Sequence, residues 1–134
     1  MAEFGYAGEI LKVNLSDGNI SRLSTADYAE RFLGGRGIAA KLYWDMVPPQ
    51  IKAYDPENCL IYITGPVAGF SRFAGSRWQV CGKSPAMEPE SFSYANMGES
   101  WGSRLKYAGY DGLVVQGQAD RPVYLFIHDD VVEI

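Results

Sequence analysis

Two alternating segments near the start of the chain constrain its fold more than any other feature of the sequence. Apolar and polar residues alternate over residues 11–15 and again over residues 20–23. An alternation with a period of two indicates β-strands. Asp17-Gly18 lies between the segments and suits a tight turn, because both residues tolerate the backbone angles that such a turn requires. This stretch is therefore predicted to form a β-hairpin.

Three later segments carry apolar residues at helical spacing. They cover residues 26–33, 38–46 and 99–107. Ser24 and Asp27 stand three residues apart at the start of the first segment, as in a capping box. Glycines or prolines follow the segments and are predicted to end the helices.

Short apolar or alternating runs predict further strands. They cover residues 59–63, 78–81, 112–116, 123–127 and 131–134. Helices among strands of this kind define an α+β fold, with β-hairpin-rich sheets and about three short helices. The last strand presents an unpaired edge, which favours a partner chain.

The size and charge of the chain limit its possible functions. Its 134 residues match the usual size of one domain, so we expect a single domain over residues 1–134. Hydrophobic residues make up 47% and charged residues 21%, which is a globular composition. A net charge of -4 with scattered basic residues provides no surface for nucleic acid or an anionic membrane.

The sequence also lacks several kinds of site. No signal peptide and no membrane-spanning apolar run are visible, so a cytoplasmic protein is expected. Cys59 and Cys81 lie in apolar runs without C-x-x-C spacing, so they are predicted to be buried free thiols. The single histidine, His128, lies in a predicted turn. No catalytic or metal-ligating residue is assigned.

Glycine-flanked arginines suggest a binding surface instead. They occur at Arg36, Arg72 and Arg77. Glycine lets backbone N–H groups approach an anion, and guanidinium binds phosphate through two hydrogen bonds. Alternatively, these glycines only end a helix and form turns.

Asn96 and Gly98 stand just before the third predicted helix. The free N–H groups at a helix start can bind an anion, although capping of the helix by Asn96 would explain both residues as well. From these residues alone we predict an α+β domain with a phosphate-binding surface.

An ordered set of short segments carries a further signal. These segments are Gly65-Pro66, Gly75-Ser76-Arg77-Trp78, Lys83-Ser84-Pro85, Ala95-Asn96-Met97-Gly98 and Leu105-Lys106-Tyr107-Ala108-Gly109-Tyr110-Asp111. In this order the set resembles the start of the aldehyde ferredoxin oxidoreductases, and the resemblance runs from about Gly5 to Ile134.

The resemblance implies that the chain forms half to most of that family's N-terminal domain. In the family this domain supports a tungsten ion, or molybdenum, held by two pterin cofactors with magnesium at their phosphates. The enzymes oxidise aldehydes to carboxylic acids and pass electrons through an iron-sulfur cluster to ferredoxin. The cluster lies in later domains, so this chain is expected to be inert alone.

Three residues are expected to bind the cofactor because they match the family's motif. Arg77 matches an arginine between cluster and pterin, whereas Asn96 and Gly98 match residues at the phosphates and their magnesium. Ser76 and Glu99 depart from the family, which usually has glycine at both positions. The alternative is that Arg77 pairs with a surface carboxylate and Asn96 caps a helix.

The short length leaves other functions open. The chain either assembles with the remainder of an enzyme or acts as a homodimeric pterin carrier, in which two copies replace a missing half. A non-catalytic interaction module is the third possibility, and the substitution at Glu99 favours it.

Overall fold

The computed structural model describes residues 5–70, 72 and 74–134. These residues form helices and strands in an α+β arrangement, as predicted. The helices are α1 (Ala26–Phe32), α2 (Arg36–Met46) and α3 (Trp101–Tyr107). The strands are β1 (Glu9–Asn14), β2 (Asn19–Ser24), β3 (Cys59–Ile63), β4 (Trp78–Ser84), β5 (Ser91–Met97), β6 (Tyr110–Gln116), β7 (Phe126–His128) and β8 (Val131–Glu133).

Six strands form one mixed sheet in the order β2-β1-β6-β3-β4-β5. The predicted hairpin is the antiparallel pair β1 and β2. Strand β1 also pairs with β6, and this is the parallel pair. Strand β3 pairs with β6 on one side and with β4 on the other, and β4 pairs with β5. All three of these pairs are antiparallel. The sheet is therefore a hairpin and a three-stranded meander joined by β6.

Helices α1 and α2 cover one face of this sheet. Ile10, Ile61 and Val114 lie on that face and pack with Ile38 and Leu42 of α2. All five are essentially inaccessible to solvent. Because successive strand residues point to opposite faces, this core takes alternate residues from β1, β3 and β6.

Helix α3 and the β7–β8 hairpin pack on the opposite face. Leu11 and Leu113 lie in this second core with Leu105 of α3. Trp101, also from α3, packs against Trp78 of β4 with the ring centroids 4.3 Å apart and the rings tilted by 37°. The second face is thus covered at one end by aromatic packing.

Two local predictions about helix starts were wrong. Thr25, not Ser24, occupies the N-cap of α1, and it makes no capping hydrogen bond. The Thr25 hydroxyl is buried and donates to Asp111 instead. Ser100 occupies the N-cap of α3, so Asn96 does not cap that helix. Asn96 lies in β5, a strand that the sequence analysis did not predict.

The last predicted strands are also shorter than expected. Strand β7 begins at Phe126 rather than at residue 123, and β8 ends at Glu133. His128 closes β7, and Asp129 follows in the turn with a positive φ of 52°. In the part of the chain that the structure describes, no helix is long and apolar enough to cross a membrane.

A buried carboxylate at the start of β6 joins four parts of the fold. Asp111 Oδ1 accepts from the Ala7 backbone N–H at 2.9 Å and from Lys106 Nζ at 2.8 Å. Its Oδ2 accepts from the Gly8 N–H at 2.8 Å and from the Thr25 hydroxyl at 2.7 Å. The Asp111 and Lys106 side chains are only 4% and 7% exposed. Four donors, one of which is the Lys106 cation, thus satisfy this buried charge.

The backbone of Asp111 extends the same network to the end of β3. Its carbonyl oxygen accepts from the Thr64 N–H at 2.9 Å and from the Thr64 hydroxyl at 2.7 Å. Lys106 Nζ also donates to the carbonyl oxygens of Gly5 and Gly65. The network therefore anchors the loop that follows β3.

We expect Asp111→Ala to lower the free energy of unfolding by about 3–5 kcal/mol, because Lys106 would remain buried without its counter-ion. Lys41→Ala is the control, since Lys41 and Asp45 form a partly exposed pair on α2. Such pairs contribute about 0.5 kcal/mol or less. Urea unfolding measures both variants, and equal losses would contradict the central role of Asp111.

Candidate functional site

The three predicted cofactor-binding residues lie at one end of the β4–β5 pair. Arg77 immediately precedes β4, and Gly98 immediately follows β5. In the antiparallel register, Trp78 pairs with Met97 and Gln79 pairs with Asn96. The end of β5 therefore lies beside the start of β4, although about twenty residues separate Arg77 from Asn96 in the sequence.

Arg77 and Gln79 lie on the α2 side of the sheet. Both line a cavity of about 490 Å³ together with residues 33–37 and 63–66. Gln79 Nε2 donates to Asn96 Oδ1 at 3.2 Å, so Asn96 lies beside this cavity. Gly98 is fixed from the other face, because its carbonyl oxygen accepts from Trp78 Nε1 at 2.7 Å.

The charges around the cavity favour an anion. Its lining includes Arg36 and Arg77 but no aspartate or glutamate. The Arg36 guanidinium lies over the Tyr94 ring, 4.2 Å from its centroid. Arg77 is exposed and forms no ion pair with any carboxylate among the described residues. Pairing of Arg77 with a surface carboxylate, the alternative left open by the sequence, is not seen.

Glycines bring the backbone close to the polar side chains of the cavity. Gly35 has a φ of 51°, and a Cβ there would lie 2.8 Å from Gln79 Oε1. Its N–H donates to the Thr64 carbonyl oxygen at 2.8 Å. At Gly34, a Cβ would lie 3.0 Å from Cδ of Pro66. A side chain at Gly35 would be strained by the positive φ, and one at Gly34 would crowd Pro66, whether or not a ligand binds.

The sequence analysis missed Gln79, although the alternation of β4 could have revealed it. Gln79 lies two residues after Arg77 and therefore shares its face of the strand. Its Oε1 is buried without a hydrogen-bond partner, and no other described side-chain nitrogen or oxygen is in that condition.

The two departures from the family motif leave the cavity open. Glu99 is exposed, with a positive φ of 63° that places it in the turn between β5 and α3. It forms no ion pair within the described ranges. Ser76 is also exposed. Neither residue lines the cavity beside Arg77.

A larger cavity of about 930 Å³ lies near the β2–α1 junction. Glu9 and Glu30 line it, whereas no lysine or arginine does. Glu9 is paired with Arg22, 3.4 Å away, but Glu30 forms no ion pair among the described residues. The cavity wall thus provides no cation for a phosphate, so this cavity does not suit an anionic ligand.

No metal-binding cluster of histidine, cysteine, aspartate and glutamate exists among the residues that the structure describes. Cys59 and Cys81 are buried and free, as predicted. Burial raises the pKa of Cys59 to about 12 and that of Cys81 to about 11. Both thiols are therefore protonated at neutral pH.

These features fit a phosphorylated organic cofactor whose metal is not ligated by this chain. Arg36 and Arg77 line the cavity, and Gly65 leaves open space beside the backbone. The buried Gln79 Oε1 can accept a hydrogen bond from such a ligand. The described side chains provide no ligand set for tungsten itself.

Comparison with known proteins identifies the family. The family "Aldehyde ferredoxin oxidoreductase, N-terminal domain" matches residues 10–134, so the chain belongs to it. The chain is 42% identical over 132 residues to the tungsten-containing aldehyde ferredoxin oxidoreductase of Pyrococcus abyssi. It is 35% identical over 135 residues to the aliphatic sulfonate oxidoreductase, WOR-like subunit, of Pyrococcus furiosus.

A solved structure supports the same assignment. The chain matches the active-site complex of benzoyl coenzyme A reductase bound to 1,5-dienoyl-CoA, with a TM-score of 0.90 and 38% identity. That match covers 96% of this chain and 20% of the other. Each curated relative described above is likewise matched over 98% of this chain and 21% of its own length. The chain therefore spans about a fifth of these proteins.

We expect neither cysteine to react with iodoacetamide at pH 8 in the folded chain. Alkylation needs the thiolate, and with a pKa of about 11 only about one Cys81 thiol in a thousand carries it at that pH. Mass spectrometry should find both residues alkylated once guanidinium chloride unfolds the chain. Rapid labelling without denaturant would contradict the burial of these thiols.

Proposed function

We propose that this chain is the cofactor-binding N-terminal part of a tungsten-containing oxidoreductase. The observation that supports it most is the meeting of Arg77, Asn96 and Gly98 beside a cavity with two guanidinium groups and no carboxylate. In this proposal the cavity takes the phosphate end of a bis-pterin cofactor. Tungsten, rather than molybdenum, is favoured by the names of the relatives.

Each of the three residues has a chemical role in this proposal. The Arg77 guanidinium binds an anionic oxygen of the cofactor through two hydrogen bonds. Asn96 Oδ1 has two lone pairs, of which one accepts from Gln79 and the other can bind the magnesium ion at the phosphates. Gly98 lets the backbone approach the same group without a side chain intervening.

The metal–pterin group supplies the redox chemistry when it is bound, and this chain binds and orients it. In the complete enzyme we propose oxidation of an aldehyde to a carboxylic acid in the cytoplasm. Electrons would pass through an iron-sulfur cluster outside this chain to ferredoxin. The chain is then a single domain over residues 1–134 without catalytic activity of its own.

We also propose that the second face of the sheet meets another polypeptide surface, either the rest of the enzyme or a second copy of this chain. Leu60 on β3, Met97 on β5 and Trp101 on α3 are 46%, 41% and 36% exposed there. Exposed apolar side chains on one sheet face are typical of an interface. A two-fold dimer is the arrangement that we favour for the isolated chain.

Light scattering at tens of micromolar protein should therefore find the chain as a dimer. Met97→Lys should return it to a monomer, because the substitution places a charge in the centre of the proposed interface. Met87→Lys, at a residue that is 56% exposed in the β4–β5 loop, is the matched control and should stay dimeric. A monomeric wild-type chain would contradict the dimer.

We expect Arg77→Ala in the full-length enzyme to weaken cofactor binding about ten- to a hundredfold, which is the usual cost of losing a hydrogen bond between charged groups. Arg77→Lys should recover only part of the affinity, because an ammonium group cannot bind through two parallel bonds. The measurement is tungsten and pterin per polypeptide after extensive dialysis.

Arg104→Ala serves as the control for Arg77. Arg104 is exposed on α3 and does not line the cavity. Its loss should leave the tungsten content unchanged. Unchanged tungsten and pterin contents in Arg77→Ala would remove Arg77 from the site.

A further inference from the structure

Only the nitrogen of the Gln79 carboxamide has a hydrogen-bond partner, and the oxygen has none. Its Nε2 donates to Asn96 Oδ1 at 3.2 Å, directly across the β4–β5 pair. Its Oε1 is buried and accepts nothing, and it is the one such atom among the side chains that the structure describes. The unpaired oxygen thus belongs to a side chain in the cavity wall.

The N–H groups of the neighbouring glycine loop do not satisfy this oxygen. The Gly35 N–H donates to the Thr64 carbonyl oxygen at 2.8 Å, and the Gly37 N–H donates to the Gly34 carbonyl oxygen at 3.1 Å. Gly35 packs so close that a Cβ would lie 2.8 Å from Oε1, which keeps the oxygen away from bulk water on that side. An unpaired buried acceptor of this kind is costly to the fold.

We propose that Gln79 Oε1 accepts a hydrogen bond from an N–H group of the bound cofactor, while Nε2 holds Asn96 in position. This inference rests on the proposed function. A phosphate has no N–H group, whereas the edge of a pterin ring has both amino and ring N–H donors. Gln79 thus selects the heterocyclic part of the ligand.

The spacing of the strand allows one ligand to reach both side chains. Arg77 and Gln79 are two residues apart, which corresponds to about 7 Å along a strand. Arg77 can then bind an anionic group while Gln79 accepts from the ring. Arg77 would recognise the charge of the ligand, and Gln79 would recognise its heterocyclic ring.

The test uses the near-isosteric substitution Gln79→Met. If the partner of Oε1 is a ligand, Gln79→Met should lower the unfolding temperature of the cofactor-free 134-residue chain less than loss of a glutamine without an unpaired oxygen does. Removal of the unpaired buried oxygen offsets loss of the Nε2–Asn96 hydrogen bond. The control is Gln116→Met on β6. Gln116 Nε2 donates to the Glu57 carbonyl oxygen at 3.0 Å, so that variant should melt at a lower temperature than the wild type.

Ligand retention is measured separately in the full-length enzyme. We expect Gln79→Met to release its pterin about five- to tenfold faster than the wild type, as followed by the fluorescence of the oxidised pterin, and Gln116→Met to release it at the wild-type rate. The fold-change corresponds to one neutral hydrogen bond.

The outcomes separate this inference from the proposed function. If Gln79→Met melts as low as Gln116→Met or fails to fold, Gln79 has a structural role and the inference is wrong. Unchanged pterin release in Gln79→Met, together with loss of cofactor in Arg77→Ala, rejects the inference and leaves the proposed function standing. If wild-type enzyme contains no pterin, both are wrong.

Discussion

The fold depends on one buried ion pair, Lys106 with Asp111. A buried carboxylate is tolerated only when donors surround it, and here the donors come from the first described segment, the β2–α1 junction and α3. Each of these parts is thereby held at a fixed distance from the start of β6. An apolar contact at the same place could bury as much surface, but it would not specify which backbone groups meet.

The same network reaches the candidate site through a short series of hydrogen bonds. The Asp111 carbonyl oxygen holds Thr64, and the Thr64 carbonyl oxygen in turn accepts from the Gly35 N–H. Gly35 then packs against the carboxamide of Gln79. The wall of the cavity is thus positioned by contacts that run from Asp111 through the buried Thr64. The Asp111 side chain also holds Lys106, which donates to the Gly65 carbonyl oxygen at the cavity.

Much of the fold could be predicted from the sequence, because the β1–β2 hairpin and α2 have clear periodicity. Strand β5 could not, since its outer residues from Tyr94 onward are exposed and show no alternation of apolar and polar types. Asn96 before a glycine looked like a helix cap for the same reason. The site residues Arg77, Asn96 and Gly98 came from family resemblance. The alternation of β4 places Gln79 on the same face as Arg77, but its pairing with Asn96 is visible only in the strand register.

The position of β6 determines when this sheet can be completed. It lies between β1 and β3, yet it is made after β1–β5 and all three helices. During synthesis on the ribosome, the β1–β2 hairpin and the β3–β4–β5 meander are therefore made first. They cannot join into one sheet until β6, which ends at residue 116, is available. Closing the gap brings together β1 and β6, which are about a hundred residues apart. Because the Asp111 carbonyl oxygen of β6 holds Thr64 in the wall of the cavity beside Gln79, the cavity takes its final form only once that strand is in place.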